Sequence, residues 1–306
     1  ILVASGTYYE HVIIWETLDY VTLIGNIANP ATTIVDGTSN GTVFTLYASS
    51  ITITGFTIRN AGDANEAILS DKITPTDDYH DISNNIIKTS KYGVSLDSSN
   101  YNTIFNNTFS DNAFSSIILT GANNNNITGN TISERWNGVE IINSNDNNIT
   151  DNTFSQVSYA IVFPYQSPSN PSTRNHIWYN TISALSAGIY TDTVSNTNTF
   201  DHNTIRESDH GIYLYNSKNA IIYYNNIANN SRGIRIYGPS GAVNANHSVR
   251  NNKLVNNGRA IEQTYSRGNT FMGNWLQKNT WGLYLSSSTA NTYYRNNFRY
   301  NSKQVS

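Results

Sequence analysis

Apolar residues along this chain alternate in bursts of three to five and hold no helical period, so short strands with one face turned inward are expected throughout. The bursts recur on a beat. Between them stands a skeleton of apolar residue, two variable residues, Asn, a variable residue and a second apolar residue, with its Asn at 85, 107, 130, 152, 180, 203, 225, 252, 274 and 296. Successive spacings are 22, 23, 22, 28, 23, 22, 27, 22 and 22 residues. Self-similarity at this period marks a solenoid, in which one repeat cannot bury its apolar face alone and stacks on its neighbours. From Asn203 to Asn225 the apolar positions are Ile205, then Ile212 and Leu214 around Tyr213, then Ile222. Three strands per coil follow, and the stack makes three parallel sheets. The expected fold is therefore all-β: a parallel β-helix of about a dozen coils, forming one domain over residues 1–306.

The recurring Asn falls between two strands, at a bend where a left-handed backbone is tolerated, and stacked Asn side chains can bond from coil to coil as a ladder. A Gly or other small residue at 93, 116, 138, 160, 188, 211, 233, 260 and 282 opens the next strand, as in GIYL (211–214) and GIRI (233–236). Ile212 and Leu214 should then face the core. Tyr213 and Tyr215 should face solvent.

Composition narrows the setting. Only 13 % of residues are charged and the formal net charge is -3, which gives no basic footprint for nucleic acid. There is no Cys, so neither disulfides nor thiolate metal sites are available, and no apolar run reaches the roughly 18 residues of a membrane-spanning helix. The Asn-rich, Lys-poor surface suits an extracellular or cell-surface location. Because the chain opens on Ile1, it reads as a mature chain or an excised domain.

The segments ILVASGTYYEHVII (1–14), TLIG (22–25), TIVDG (33–37), ITITGFTIRNAG (51–62), GNTI (129–132) and GIYLYNS (211–217) resemble NosD-type right-handed parallel β-helix proteins of the pectin-lyase-like superfamily. The likeness covers essentially the whole chain, and its Asn- and Tyr-rich style is similar to methanogenic archaeal surface proteins, disaggregatases among them. Within that superfamily are polysaccharide lyases, hydrolases and epimerases as well as noncatalytic surface proteins. The resemblance implies the sheet built from the GIxL strands, with its flanking turns, as the substrate groove. It also implies an acidic matrix polysaccharide, of which methanochondroitin is one, as the partner. The polygalacturonase set of NTD, DD, GHG and RIK and the epimerase DPH motif are not matched, so no catalytic residue carries over.

Where the beat breaks, an inserted loop must leave the stack and stand beside a sheet. The small residue opening the GIxL strand is followed by the next strand's first core residue after 11 positions in most coils, as from Gly211 to Ile222. That distance grows to 17 after Ala160, 16 after Gly233 and 15 after Ala67. The loops at 163–176 and 236–248 bracket the outward residues Tyr190, Asp192, Tyr213, Tyr215, Arg235 and Tyr237. Glu140 and Glu262 share their column, Tyr165 lies in the first loop, and the RESDH turn adds Glu207, Asp209 and His210, with Arg232 and Arg259 stacked above His210. Aromatic faces beside carboxylates and Arg suit a sugar polymer bearing uronates. Asp192, Glu207, Asp209, His210 and Arg235 are the expected catalytic group; Glu140, Tyr165, Tyr190, Tyr213, Tyr215, Arg232, Tyr237 and Glu262 are the expected binding group.

Hydrolysis would need two carboxylates about 5–9.5 Å apart. β-Elimination needs a base, a cation on the uronate and an acid, for which His210, Arg232 or Arg235, and Tyr213 qualify. The competing reading is a noncatalytic carbohydrate-binding or adhesive module, forming homo-oligomers through Trp178, Tyr223 and Tyr224. No cofactor is expected; a Ca²⁺ site at Asp77, Asp78, His80 and Asp81 is the weaker reading, and one Met with six scattered His gives no copper constellation.

Overall fold

The computed structural model describes residues 1–71, 78–165, 170–192, 196–239 and 244–305. They pack as two compact units, Ile1–Thr153 and Phe154–Ser306. Each unit is a parallel β-solenoid of short strands, as the alternating pattern requires, and a single 3₁₀ turn at Pro30–Thr32 is the one helical element among the described residues.

One coil of the second unit shows the plan. Strand Ile221–Tyr223 forms the first face, Asn226–Ala228 the second and Arg232–Tyr237 the third. Each strand pairs in parallel with its counterparts one coil before and after: Phe200↔Ile222↔Val249, Ile205↔Ile227↔Leu254 and Ile212↔Ile234↔Ile261 stand in register. These residues are buried, at 0–2 % exposure. They build three inward columns, each side chain stabilising the stack by about 1.5–3 kcal/mol. Ile212 and Leu214 face inward, and Tyr213 and Tyr215 are half-exposed on the third face, as the alternation predicts. The strand opens on glycine because coils approach closely there: a Cβ on Gly211 would lie 2.5 Å from the Gly233 carbonyl oxygen.

Two features differ from the sequence expectation. The second and third faces are not always separate sheets. Strands Thr57–Asp71 and Ile86–Asp97 of the first unit, and Thr181–Thr191 of the second, run through the corner without a break. Pairs such as Gly62↔Ser90 and Glu66↔Tyr92 continue the backbone bonding around that open corner.

The second difference concerns the bend. The left-handed residue is not the ladder Asn but the one before it: Tyr179, His202, Tyr224, Asn251, Gly273 and Arg295 all have φ between 52° and 65°. The ladder Asn is needed for its side chain. Asn225 is 1 % exposed. Its backbone N–H and its Nδ2 both donate to Oδ1 of Asn252, at 3.0 and 2.9 Å, while Nδ2 also donates back to the Phe200 carbonyl at 2.9 Å. One amide thus satisfies backbone groups that the corner strips from the sheets.

The sequence shows one such ladder; the structure has one at every corner. In the second unit Ser208, Asn230, Asn257, Asn279 and Asn301 line the second corner, while Asn175 with Asn198, and His247 with Asn269 and Asn291, line the third. In the first unit Asn85, Asn107, Asn130 and Asn152 form one run and Asn102, Asn125 and Asn147 another. Other acceptors stand in for Asn, serine hydroxyls such as Ser208 and three bulkier groups. Glu134 accepts the Asn112 backbone N–H at 2.7 Å, its Nδ2 at 2.6 Å and the Ser116 hydroxyl at 3.0 Å. Burial nevertheless outweighs these donors and pushes its carboxyl up to about 7. His80 and His247 do the same work with an imidazole: Nδ1 accepts the N–H of Ile51 at 3.2 Å and of Ala220 at 3.1 Å. A backbone N–H can only donate, so the ring proton of each sits on Nε2.

Asn225→Ala leaves the Asn203 N–H unpaired in the core and removes the amide that bonds to the Phe200 carbonyl and to Asn252. A loss of about 3 kcal/mol in urea unfolding is expected. Burial holds His247 down at about 3, well below an unfolded imidazole near 6.5. Its folded-state pKa is depressed, so the stability it confers is complete above about pH 6.5 and drains away as pH falls toward 3. His247→Asn should flatten the acid limb of a melting-temperature profile over that window.

Candidate active site on the third face

Parallel register decides which side chains meet. On the third face of the second unit, Tyr190, Tyr213, Arg235, Glu262 and Tyr284 fall in one column, and Ala187, His210, Arg232, Arg259 and Trp281 in the neighbouring one. Tyr215 and Tyr237 stand in a third. The rings pack along these columns. Tyr159–Tyr190, Tyr190–Tyr213 and Tyr215–Tyr237 centroids are 5.3, 5.2 and 5.7 Å apart. The Arg235 guanidinium is wedged over Tyr213 at 4.8 Å and Tyr237 at 5.0 Å.

Beneath the cations lies Glu262, only 4 % exposed. Its carboxylate meets Arg232 Nε at 2.9 Å, Arg259 Nη1 at 2.8 Å and Arg235 Nε at 3.6 Å. A buried carboxylate needs such partners to remain charged. Sequence reading places Glu262 among residues that meet a ligand; the structure places it below them, as the residue that aims three guanidiniums outward.

His210 is the centre of the second column. Its ring stacks on Tyr213 at 4.7 Å, its Nδ1 is 3.1 Å from Asp209 Oδ2, and its Nε2 receives a hydrogen bond from Arg235 Nη1 at 3.1 Å. Since Arg only donates, Nε2 carries the lone pair. Burial lowers the imidazole below its usual value; Arg232 and Arg235 push the same way and Asp209 opposes them. Neutral His210 is the outcome near pH 7. Tyr190 and Tyr213 are shifted up, both chiefly by burial, with Asp192 adding to the shift of Tyr190 and Arg235 opposing that of Tyr213. Both phenols therefore keep their protons and can give them, not take them.

The remaining expected residues are scattered. Asp192, past the far end of strand Thr181–Thr191, accepts from the Tyr190 hydroxyl at 3.3 Å, while Asp209 precedes strand His210–Tyr215 and pairs with His210 and Arg232. Two tyrosines and an imidazole stand in the chain of contacts between them. Glu207 is exposed at the left-handed position before Ser208, φ 57°, with no polar contact to any described residue. Tyr165 is 69 % exposed, and 166–169 and 240–243 of the bracketing loops lie outside the described residues. Glu140 belongs to the first unit, where it accepts from Ser115 Oγ at 2.7 Å. Sequence reading passes over Tyr159, Trp281 and Tyr284; the strand register, legible from the repeat, was the signal for the last two.

The other singled-out groups are occupied in the fold. Tyr179, His202 and Tyr224 stack at 4.8 and 5.2 Å, and Asp201 is held by His176 and His202. In the DDYHD run His80 and Asp78 are buried, Asp81 opens a strand, and Asp77 lies outside the described residues.

Parallel coils, corner ladders and an outward face of Tyr, His and Arg define a right-handed β-helix repeat protein. The chain belongs to the NosD family: the model described as "Periplasmic copper-binding protein (NosD)" matches residues 3–184, and that for "Right handed beta helix region" matches 187–305. No curated protein matches the chain. Among solved structures the fold is similar to the Azotobacter vinelandii mannuronan C-5 epimerase AlgE6 A-module, with a TM-score of 0.67 and 15 % identity over 97 % of this chain and 89 % of that one. The periplasmic alginate epimerase AlgG gives 0.70 and 15 % over 95 % and 77 %. The GH87 α-1,3-glucanase of Streptomyces thermodiastaticus strain HF3-3 gives 0.67 and 14 % over 96 % and 62 %. These likenesses establish the fold. The copper in the family description finds no matching donor set: the chain has no Cys and one Met, and among the described residues no group of three His, Cys, Asp or Glu is placed to hold a metal ion.

Glu262→Gln should cost about 2 kcal/mol in chemical denaturation, a figure below that of a fully buried pair because the three arginines are partly solvated.

Proposed function

We propose that this protein acts on an acidic, uronate-containing polysaccharide outside the cytoplasm, with the third face of the second unit as its site. The observation that carries the reading is the trio His210, Arg235 and Tyr213: a neutral imidazole, a guanidinium on its lone pair, and a phenol that stays protonated. Asp192 lies past the end of strand Thr181–Thr191 and Asp209 before the start of strand His210–Tyr215, so the backbone sets them a strand's length apart, roughly 15–20 Å at about 3.3 Å per residue, which argues for proton abstraction over carboxylate-pair hydrolysis.

A uronate carboxylate takes the outward N–H groups of Arg235, the bidentate pairing guanidinium favours. That draws Arg235 off Nε2 of His210 and frees the lone pair. His210 accepts the proton from C5, the C5 electron pair forms the C4–C5 double bond, and the C4–O bond breaks as the Tyr213 or Tyr190 hydroxyl protonates the leaving oxygen. The Tyr column would hold neighbouring sugars by their apolar faces. The similar folds of two alginate epimerases support a uronate reading.

A noncatalytic surface-binding reading also has an observation behind it, since Arg235 already occupies the His210 lone pair. Turnover separates the two. Purified protein is incubated with alginate, glucuronan, pectic and chondroitin-like polymers, following ultraviolet absorbance of unsaturated ends and reducing sugar. The expected result is cleavage that falls about 10²–10⁴-fold in His210→Gln, with activity retained below pH 6.5 because the base has a depressed pKa. Binding without product on every polymer would establish the module instead.

A further inference from the structure

Beside the His210 column the second corner carries Asp209, Ser231, Gly258 and Thr280, each one residue past a ladder position. The two middle coils contribute almost no side chain, and Gly258 is obligatory, because a Cβ there would lie 2.6 Å from the Ser231 carbonyl oxygen. A notch results, lined by Asp209, Ser231, Arg232, Gly258, Arg259, Thr280 and Trp281.

Its walls are specific. Glu262 takes Nε of Arg232 and Nη1 of Arg259, and Asp209 takes Nη1 of Arg232. The other N–H groups of both arginines bond to no described residue, and the two side chains remain 30 % and 32 % exposed. Lys303 Nζ sits 4.1 Å above one face of Trp281. Trp281 stands in register between Arg259 and Lys303 and lines the notch beside Arg259, whose guanidinium lies 4.0 Å over the Tyr284 ring. Around it Arg232, Arg235, Arg259 and Lys303 outnumber Asp209 and Glu262.

We infer that this notch is a subsite for one anionic sugar residue, the ring lying on Trp281 and its oxyanion held by the free N–H groups of Arg259 and Arg232. The inference rests on the third face being the polysaccharide face and deepens it, because it places recognition of charge at the corner, a strand's start away from the proton-transfer trio. A planar carboxylate and a tetrahedral sulfate ester share the required chemistry, two or three oxygens bearing negative charge on a pyranose. Asp209 is the built-in competitor. Its carboxylate, 47 % exposed and 3.3 Å from Arg232 Nη1, must yield that donor when an anion arrives.

Calorimetric titration of the whole chain with glucuronate, glucose 6-sulfate and glucose tests it without any turnover. Either anionic sugar should bind at least about tenfold more tightly than glucose, which a bidentate charged contact supplies, and the tighter of the two names the source of the oxyanion. Arg259→Lys keeps charge and fold but loses the fork, and should weaken binding about tenfold; Trp281→Ala should weaken all three sugars alike. Asp209→Asn should strengthen anion binding severalfold, the opposite of what simple damage to the site produces. Equal binding of glucose, or anion affinity unchanged in Arg259→Lys, overturns the subsite. Polymer cleavage with such a result leaves the catalytic reading standing, while anion binding lost in Arg259→Lys with no cleavage of any polymer leaves the subsite standing alone.

Discussion

A chain that turns three times per coil around a buried core must satisfy backbone N–H and C=O groups at every turn, where neither sheet nor water reaches them. Each such group left unpaired costs about 1–3 kcal/mol, and a solenoid repeats the cost at every coil. The corner ladders answer it. Asn203, Asn225 and Asn252 each bind the backbone of the coil behind and the amide of the coil ahead, so the bond that closes one turn also fixes the spacing of the next. Strand register, and with it the columns of the third face, follows from this inner framework.

Because the framework is inside, the outer face is left to chemistry. Three guanidiniums stand side by side on that face, which repulsion would forbid on a bare sheet. Glu262 makes them compatible from below, and the rings of Tyr213 and Tyr237 lie against Arg235 and that of Tyr284 against Arg259. The result is a positive, ring-lined strip in a chain whose formal net charge is -3. Local register, not composition, sets the field that a ligand meets.

The scaffold was readable from the sequence because each residue type there has one physical reason to recur. Ile at core positions, Gly211 and Gly233 at close approaches and Asn225 at the corner report on neighbours at fixed offsets. Ladders in which Ser208, Glu134, His80 or His247 replaces Asn were not readable, since the requirement is for an acceptor at one point in space and three chemistries meet it. The candidate site was half legible. Tyr213, His210 and Arg235 could be placed together from the repeat, but the burial of Glu262 and the isolation of Glu207 depend on side-chain direction, which spacing does not give. Trp281 and Tyr284 were hidden for a simpler reason: they lie two coils beyond the strand from which the second loop leaves.

Asparagine is among the residues least durable under heat, and a chain this rich in it would be expected to age quickly. The ladders change where that ageing starts. An interior amide such as Asn225 has its nitrogen committed in two directions and its oxygen accepting twice from the coil behind, within a dry corner that hydrolytic chemistry cannot enter. Asn229 and Asn256, one residue earlier at the left-handed position and open to water, have no such protection. Wear would therefore roughen the outside of the corners long before it reached the bonds that keep the coils in step, and the protein's working life is set by its surface while its shape is kept by its interior.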